Sequence, residues 1–279
     1  MTAREALQEA ERRLKAAGVP DARLDAEWLL ADVSDLPRLK LLLQTDRLLG
    51  EEAQARFFAW VSRRENREPL QYILGSAHFM GHEFLTQKGV LIPRADTEAL
   101  CERAIGHIQP GFRILDLCCG TGCLGISLKL VFPGEKVWLS DLSGDAVSLA
   151  KKNAALLKAD VRVLQGDLFQ PFKEQAFDLI LSNPPYIPSP DLQGLQPEVR
   201  WEPPLALDGG PDGLEFYRRI LGEAKNHLNP GGILLLEIGD GEAEAVSALL
   251  DRDYQKPALF PDLAGRTRVL ETRLGNGVH

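Results

Sequence analysis

No run in these 279 residues approaches the ~18 consecutive apolar positions that cross a bilayer. The amino terminus, Met1-Thr2-Ala3-Arg4-Glu5, also lacks a secretory hydrophobic stretch, so a cytoplasmic protein without membrane contact is expected. Excess positive charge is missing too. A net charge of -8 argues against direct nucleic-acid binding built on neutralising many phosphates, which needs a basic surface. The four cysteines make no disulfide framework, because Cys118, Cys119 and Cys123 crowd one turn while Cys101 stands apart. Zinc would want paired spacings, and His78, His82, His107, His227 and His279 supply none, so no metal site is expected and the histidines read as surface or packing residues. With 44% hydrophobic and 26% charged residues, the chain can fill the core of one large or two modest domains.

The first ~70 residues read as a small helical bundle. Thr2 and Glu5 have the spacing of a capping box, Leu7, Leu14 and Ala17 recur at helical spacing, and Gly18 stops the run. A second helix follows Pro20-Asp21, and Leu36 to Leu43 and Glu51 to Arg64 carry further apolar stripes. The pairs Arg12-Arg13 and Arg63-Arg64 are expected on solvated helix faces. Residues 76–92 fit a β-hairpin connector in which Phe79 and Phe84 pack. From Pro93 on, a helix to about His107 gives way to alternating strands and helices, with strands at Phe112–Leu117, Lys136–Asp141, Val161–Leu164, Phe177–Ser182 and Gly232–Ile238. That alternation predicts an α/β fold with a doubly wound, mostly parallel sheet. Arg266–Leu274 alternates like a strand with one exposed edge.

Asn183-Pro184-Pro185-Tyr186 ends the fourth of those strands, and its two prolines cannot extend the ladder. The tetrapeptide therefore falls just past a strand's carboxyl end, where open α/β sheets bind ligands. Asn183 offers a side-chain carbonyl, Pro184 a backbone carbonyl and Tyr186 a ring, a set that suits a planar NH2 group. Upstream, Asp116-Leu117-Cys118-Cys119-Gly120-Thr121-Gly122 joins the first of these strands to its helix, where glycines admit a ligand to the helix amino terminus. Asp141 ends the next strand, placed for a ribose, and Asp167 ends the one after it, placed for the edge of a base.

Gly120, Gly122 and Gly125 also spell the dinucleotide fingerprint, with Asp141 at about its usual offset of ~20 residues, so a nicotinamide-dependent oxidoreductase competes on those residues. Asp116 tilts the balance, since a carboxylate beside the glycines repels a pyrophosphate and suits a cationic or amino-acid-bearing ligand. It is open to two roles, contact with that ligand's amino group or capping of the following turn. Together with the NH2 site, these residues describe methyl transfer from S-adenosylmethionine, giving S-adenosylhomocysteine.

Asp116–Gly122, Ser140-Asp141, Gly166-Asp167-Leu168-Phe169 and Ser182–Tyr186 look like the ordered motifs of class I methyltransferases acting on nitrogen. The chain further resembles the family that methylates the glutamine of peptide chain release factors. Asp25-Ala26-Glu27, Glu68-Pro69-Leu70-Gln71-Tyr72-Ile73, Ile92-Pro93-Arg94 with Asp96-Thr97-Glu98, Val199-Arg200-Trp201-Glu202-Pro203, Asp212-Gly213 and Gly231–Glu237 all match it. It departs at Cys118 and Cys119, where the family has Gly and then Thr or Ser, at Ala95 in place of a proline, at Asp240-Gly241-Glu242, and at Leu168, where an aromatic is common.

The resemblance implies a seven-stranded methyltransferase domain over residues 93–279, a helical substrate-binding domain over 1–75, and the hairpin between them. It implies a cofactor held by Asp116, Cys118, Cys119, Gly120, Thr121, Gly122, Asp141, Asp167, Leu168 and Asn183. The substrate, the glutamine of a release factor's Gly-Gly-Gln loop, would meet Asn183, Pro184, Pro185 and Tyr186, with Asn183, Pro184 and Tyr186 carrying the chemistry. A glutamine of a ribosomal protein, or the amino group of adenine or guanine, is an alternative acceptor. A cofactor-binding module without catalysis is the non-enzymatic alternative.

Overall fold

The computed structural model describes residues 1–275, so His279 lies outside the described residues. The chain forms two compact units, one of Met1–Ser76 with Gln196–Trp201, the other of Ala77–Leu195 and Glu202 onward. Among the described residues, no helix is long and apolar enough to cross a membrane.

The first unit is built from α1 (Ala3–Ala16), α2 (Ala22–Val33), α3 (Arg38–Leu42), α4 (Glu51–Glu65) and α5 (Leu70–Leu74). The capping box forms as its spacing predicts: Glu5 N–H donates to Thr2 Oγ1 at 3.2 Å and Thr2 N–H to the Glu5 carboxylate at 2.8 Å. Leu7, Leu14, Leu29, Leu30, Phe57 and Val61 meet in the core. Helix α5 was not anticipated; Pro69 opens it and Gly75, at φ 81°, closes it. Arg64 corrects another expectation, because it is buried rather than solvated. Its guanidinium binds Asp25 at 2.7 Å and Glu198 at 2.8 Å, and Glu198 also holds Arg67 at 2.6 Å. Those pairs draw Gln196–Trp201 into this unit, although the sequence expectation had put the segment in the methyltransferase domain.

In the second unit, β1 (Ser76–Phe79) and β2 (His82–Leu85) form a two-stranded hairpin. Its two-residue turn is left-handed at both positions, Met80 at φ 49° and Gly81 at φ 76°. Phe79 and Phe84 pack edge to face at 6.2 Å. Then come α6 (Asp96–Ile105), β3 (Arg113–Leu117), α7 (Cys123–Val131), β4 (Lys136–Asp141), α8 (Gly144–Leu156), β5 (Arg162–Gln165), β6 (Phe177–Ser182), α9 (Glu215–Ala224), β7 (Leu228–Glu237), α10 (Ala243–Ser247), β8 (Ala258–Pro261) and β9 (Thr267–Arg273).

The seven strands β3 to β9 form one sheet in the order β5-β4-β3-β6-β7-β9-β8, with β3 to β7 parallel and the last two antiparallel. Chain order reverses between β3 and β6, which makes their carboxyl ends the ligand-binding crevice. The register is decisive there: Leu117 pairs with both Ser140 and Ser182, so Cys118, Asp141 and Asn183 leave three strands at one level. Strand β9 differs from its expected edge position. It lies between β7 and β8, and its polar residues are buried because each finds a partner: Arg268 donates to the Ile238 carbonyl at 3.0 Å, Glu271 holds Arg103 and His107, and Thr272 donates to the Gln255 carbonyl at 2.8 Å.

Candidate active site

A cavity of about 320 Å³ opens at the crevice, within the range of small-molecule sites. Its wall includes Cys118, Cys119, Gly120 and Thr121 after β3, Asp141 after β4, Asp167 and Leu168 after β5, and Asn183 and Pro185 after β6. The segment after the hairpin also lines it, from Gly89 to Arg94, as do Pro203 and Phe216. Within that segment, Ile92-Pro93-Arg94 matched a family motif in the sequence, while Gly89 to Leu91 carried no functional signal. The hairpin before it is held by a buried Asn153 on α8, whose amide takes the Leu85 N–H at 2.8 Å and gives its own hydrogens to the Leu85 and Thr121 carbonyls at 3.2 and 2.9 Å. One side chain thus ties the end of β2 to the glycine loop.

The loop itself is left-handed at Cys118 (φ 57°), Gly120 (φ 54°) and Gly122 (φ 81°). The two glycines are needed for different reasons. A Cβ on Gly120 would meet no atom within 4 Å, whereas one on Gly122 would lie 2.9 Å from Ile126 Cδ1 and 3.1 Å from Ala150 Cβ and Leu139 Cδ2. Gly120→Ala is therefore expected to cost about 1 kcal/mol, for backbone strain alone. Gly122→Ala adds overpacking and should cost about 2 to 4 kcal/mol, a difference that urea unfolding of the two variants measures.

Asp141 is anchored from both sides. Its Oδ2 accepts the Gly120 N–H and its Oδ1 the Ser143 N–H, both at 2.9 Å. Burial raises its pKa and those N–H groups oppose the rise. Each oxygen keeps a lone pair for a further donor, which fits the two hydroxyls of a ribose. Asp167 is half-buried on the cavity wall, with Oδ2 on Arg219 at 2.7 Å. The cavity, the fixed carboxylate and the open glycine loop fit S-adenosylmethionine.

Asp116 caps the following helix through one oxygen, Oδ2, while its Oδ1 is buried without a hydrogen-bond partner. Strand alternation turns it to the face covered by α7, where it is fully buried and absent from the cavity wall. Its Oδ2 accepts the Gly125 N–H at 2.9 Å, in the first turn of α7, and burial pushes its pKa up to about 8. The carboxyl group thus holds the helix that carries the loop. The nearby cysteines are free thiols, and burial pushes all of them up, Cys123 to about 12, which keeps them unreactive.

Of the tetrapeptide, Asn183 and Pro185 line the cavity and Pro184 is buried beside it. The Asn183 amide nitrogen donates to Thr97 Oγ1 at 3.1 Å, which leaves Oδ1 as its remaining acceptor. No backbone N–H among the described residues donates to the Pro184 carbonyl. Glycines pack against Tyr186 at ring and backbone: a Cβ on Gly239 would approach its ring Cδ2 to 3.1 Å, and one on Gly213 its backbone carbonyl oxygen to 2.5 Å. Desolvation pushes its phenol up to about 12, so the hydroxyl stays protonated. Glu202, in the Val199–Pro203 motif, accepts the Ile92 N–H at 2.9 Å and binds Arg94, which secures the segment leading into α6. Thr97 sat inside a motif visible in the sequence, yet no local pattern tied it to Asn183. Phe216 had no signal at all.

Residues 5–75 match the sequence family described as PrmC N-terminal domain, and residues 97–193 match the Methyltransferase small domain. The release factor glutamine methyltransferase of Geobacter sulfurreducens is 45% identical over 276 residues, covering 98% of this chain and 97% of that protein. That of Moorella thermoacetica is 42% identical over 274 residues, 96% of this chain and 97% of its own. Among solved structures, a methyltransferase from Pyrococcus furiosus shares the fold with a TM-score of 0.54 at 21% identity, over 71% of this chain and 91% of that one.

Proposed function

The chain belongs to the release factor glutamine methyltransferases, and from that premise we infer that its cavity serves methyl transfer from S-adenosylmethionine to the N5 side-chain nitrogen of the glutamine in a release factor's Gly-Gly-Gln loop. The observation that carries this reading is the level placement of Asn183 beside the Cys118–Gly122 loop and Asp141, with its amide oxygen left free. Family membership sets aside the nicotinamide reading.

When bound, S-adenosylmethionine supplies an electrophilic methyl on a sulfonium and leaves as a neutral thioether. The obstacle is the acceptor, because an amide nitrogen's lone pair is delocalised into its carbonyl. In this reading Asn183 Oδ1 and the Pro184 carbonyl each accept one N–H of the substrate, while Tyr186 packs on the amide plane. Holding the nitrogen this way can supply about 7 to 11 kcal/mol in favourable cases. No histidine lines the cavity among the described residues, and none is needed, since the methylated amide sheds its extra proton to water. Cys118–Gly122, Asp141, Asp167 and Leu168 would hold the cofactor, and residues 1–75 would grip the release factor. The net charge of -8 favours a protein partner in the cytoplasm over nucleic acid or a membrane.

Incubation with methyl-labelled cofactor and release factor tests the reading. Label is expected on the factor's peptide containing Gly-Gly-Gln and nowhere on a factor with that glutamine changed. Label on a ribosomal protein or on nucleic acid instead would assign the acceptor to one of the alternatives.

A further inference from the structure

We propose, resting on the cofactor part of that reading, that Arg94 binds the carboxylate of the methionine portion of S-adenosylmethionine. The cofactor brings three charges to the cavity: a sulfonium, an ammonium and a carboxylate. Three acidic side chains stand on the cavity wall, Asp141, Asp145 and Asp167, and all of them repel the carboxylate. Arg94 is the one cationic side chain on that wall among the described residues. A carboxylate finds its countercharge there.

The fold also puts Arg94 at the right end of the cavity. Asp141 and Asp167, the ribose and base residues, follow β4 and β5, whereas Asn183 follows β6. In the order β5-β4-β3-β6, three strand spacings separate the base end from Asn183, about 14 Å in all. Thr97, three residues after Arg94, accepts the Asn183 amide hydrogen at 3.1 Å, which fixes this segment beside Asn183. Adenosine laid over β4 and β5 therefore directs its amino-acid portion toward β3, β6 and Arg94.

Arg94 is held ready for a second anion. Its first, Glu202, is 3% exposed and lies off the cavity wall, and its other oxygen accepts the Ile92 N–H at 2.9 Å. Arg94 keeps 37% of its side chain exposed. The buried carboxylate thus stands behind the guanidinium and holds it in place, while the guanidinium borders the cavity. One of its five N–H groups goes to Glu202, and those remaining suit a planar acceptor with two oxygens. If the pair served only to fasten the segment, the Glu202 bond to the Ile92 N–H would already do so, with no cation needed on the wall.

Calorimetry on the full chain tests the subsite with three ligands: S-adenosylhomocysteine, its decarboxylated analogue, and methylthioadenosine, which has no amino-acid portion. The wild type should bind the decarboxylated analogue about 10²-fold more weakly than S-adenosylhomocysteine, having lost a charge-assisted, two-pronged contact. Arg94→Gln should lose about the same factor for S-adenosylhomocysteine and stay within about twofold of the wild type for the other two ligands, so that the two changes do not add. Arg94→Lys should fall between, since it keeps the charge and loses the fork. A loss shared equally by all three ligands in Arg94→Gln would make the residue a fastener of the cavity wall and overturn the proposal. Unchanged affinity for S-adenosylhomocysteine would overturn it too, and a raised KM for the release factor beside it would give the guanidinium to a carboxylate of the protein substrate. If Arg94→Gln does not fold, Arg94→Lys decides with the same three ligands: a deficit confined to S-adenosylhomocysteine upholds the subsite, and an equal deficit for all three removes it. A wild type that binds none of them refutes the cofactor assignment and the proposal with it. One that binds them and leaves the release factor unmethylated refutes only the acceptor reading.

Discussion

Asn183→Ala is expected to lower methyl transfer to a release factor by about 10³-fold while cofactor affinity stays within a few-fold. The size follows from what one correctly aimed hydrogen-bonding group contributes in a water-poor site, about 3 to 4 kcal/mol. Alanine removes the only side-chain acceptor that the tetrapeptide places on the cavity wall, and leaves Thr97 without its donor. The backbone should hold, because Ser182, one residue earlier, stays in the ladder and its hydroxyl donates to the Leu117 carbonyl at 2.9 Å. Single-turnover transfer with labelled cofactor, beside calorimetry with S-adenosylhomocysteine, separates the two effects. Transfer at the wild-type rate would remove Asn183 from the chemistry, and an equal loss of cofactor affinity would make it a binding residue.

Asp141→Ala is expected to show the opposite split, weakening S-adenosylhomocysteine by about 10²-fold. Two hydrogen bonds to a charged acceptor at about 1.5 kcal/mol each amount to about 3 kcal/mol, which is that factor. The substitution also frees the Gly120 and Ser143 N–H groups that the carboxylate now accepts, so the loop loses its anchor along with the ribose. A lower melting temperature without ligand should accompany the weaker binding. Asp141→Asn should fall between, since its amide can accept from one of those N–H groups but sets an NH2 against the other. Unchanged affinity in Asp141→Ala would refute the ribose assignment.

Both predictions concern residues legible in the sequence, and their legibility has a common cause. Each stands immediately after an apolar run with strand character, and in a doubly wound sheet the position after a strand is a functional address. Periodicity located Lys136–Asp141 and Phe177–Ser182 because a buried parallel strand is a short, nearly continuous apolar stretch. The helices α1 and α4 were legible in the same way, through caps and 3.6-residue spacing. Short elements such as α5 and α10 were not, since five residues hold barely one helical period, and β8 was not, since its four residues show no buried alternation.

The misread residues share a different trait: their partners are far away in the chain. Arg64 reads as half of a solvated basic pair until Asp25 and Glu198 close around it. Strand β9 reads as an edge until β8 pairs with it and Arg103 and His107 reach Glu271.

Local chemistry was therefore settled by the sequence: which residues end strands, where glycine admits a left-handed loop, and that Asn183 and Pro184 follow a strand's carboxyl end. Only the tertiary structure decided that Asp116 bonds the first turn of helix α7, that Asn153 clamps the hairpin to the loop, and that Thr97 takes a hydrogen from the Asn183 amide. The reason is physical. Backbone preference and apolar period act between near neighbours in the chain, whereas the partner of a buried polar group is chosen by sheet order and register, which bring residues 86 positions apart within one hydrogen bond.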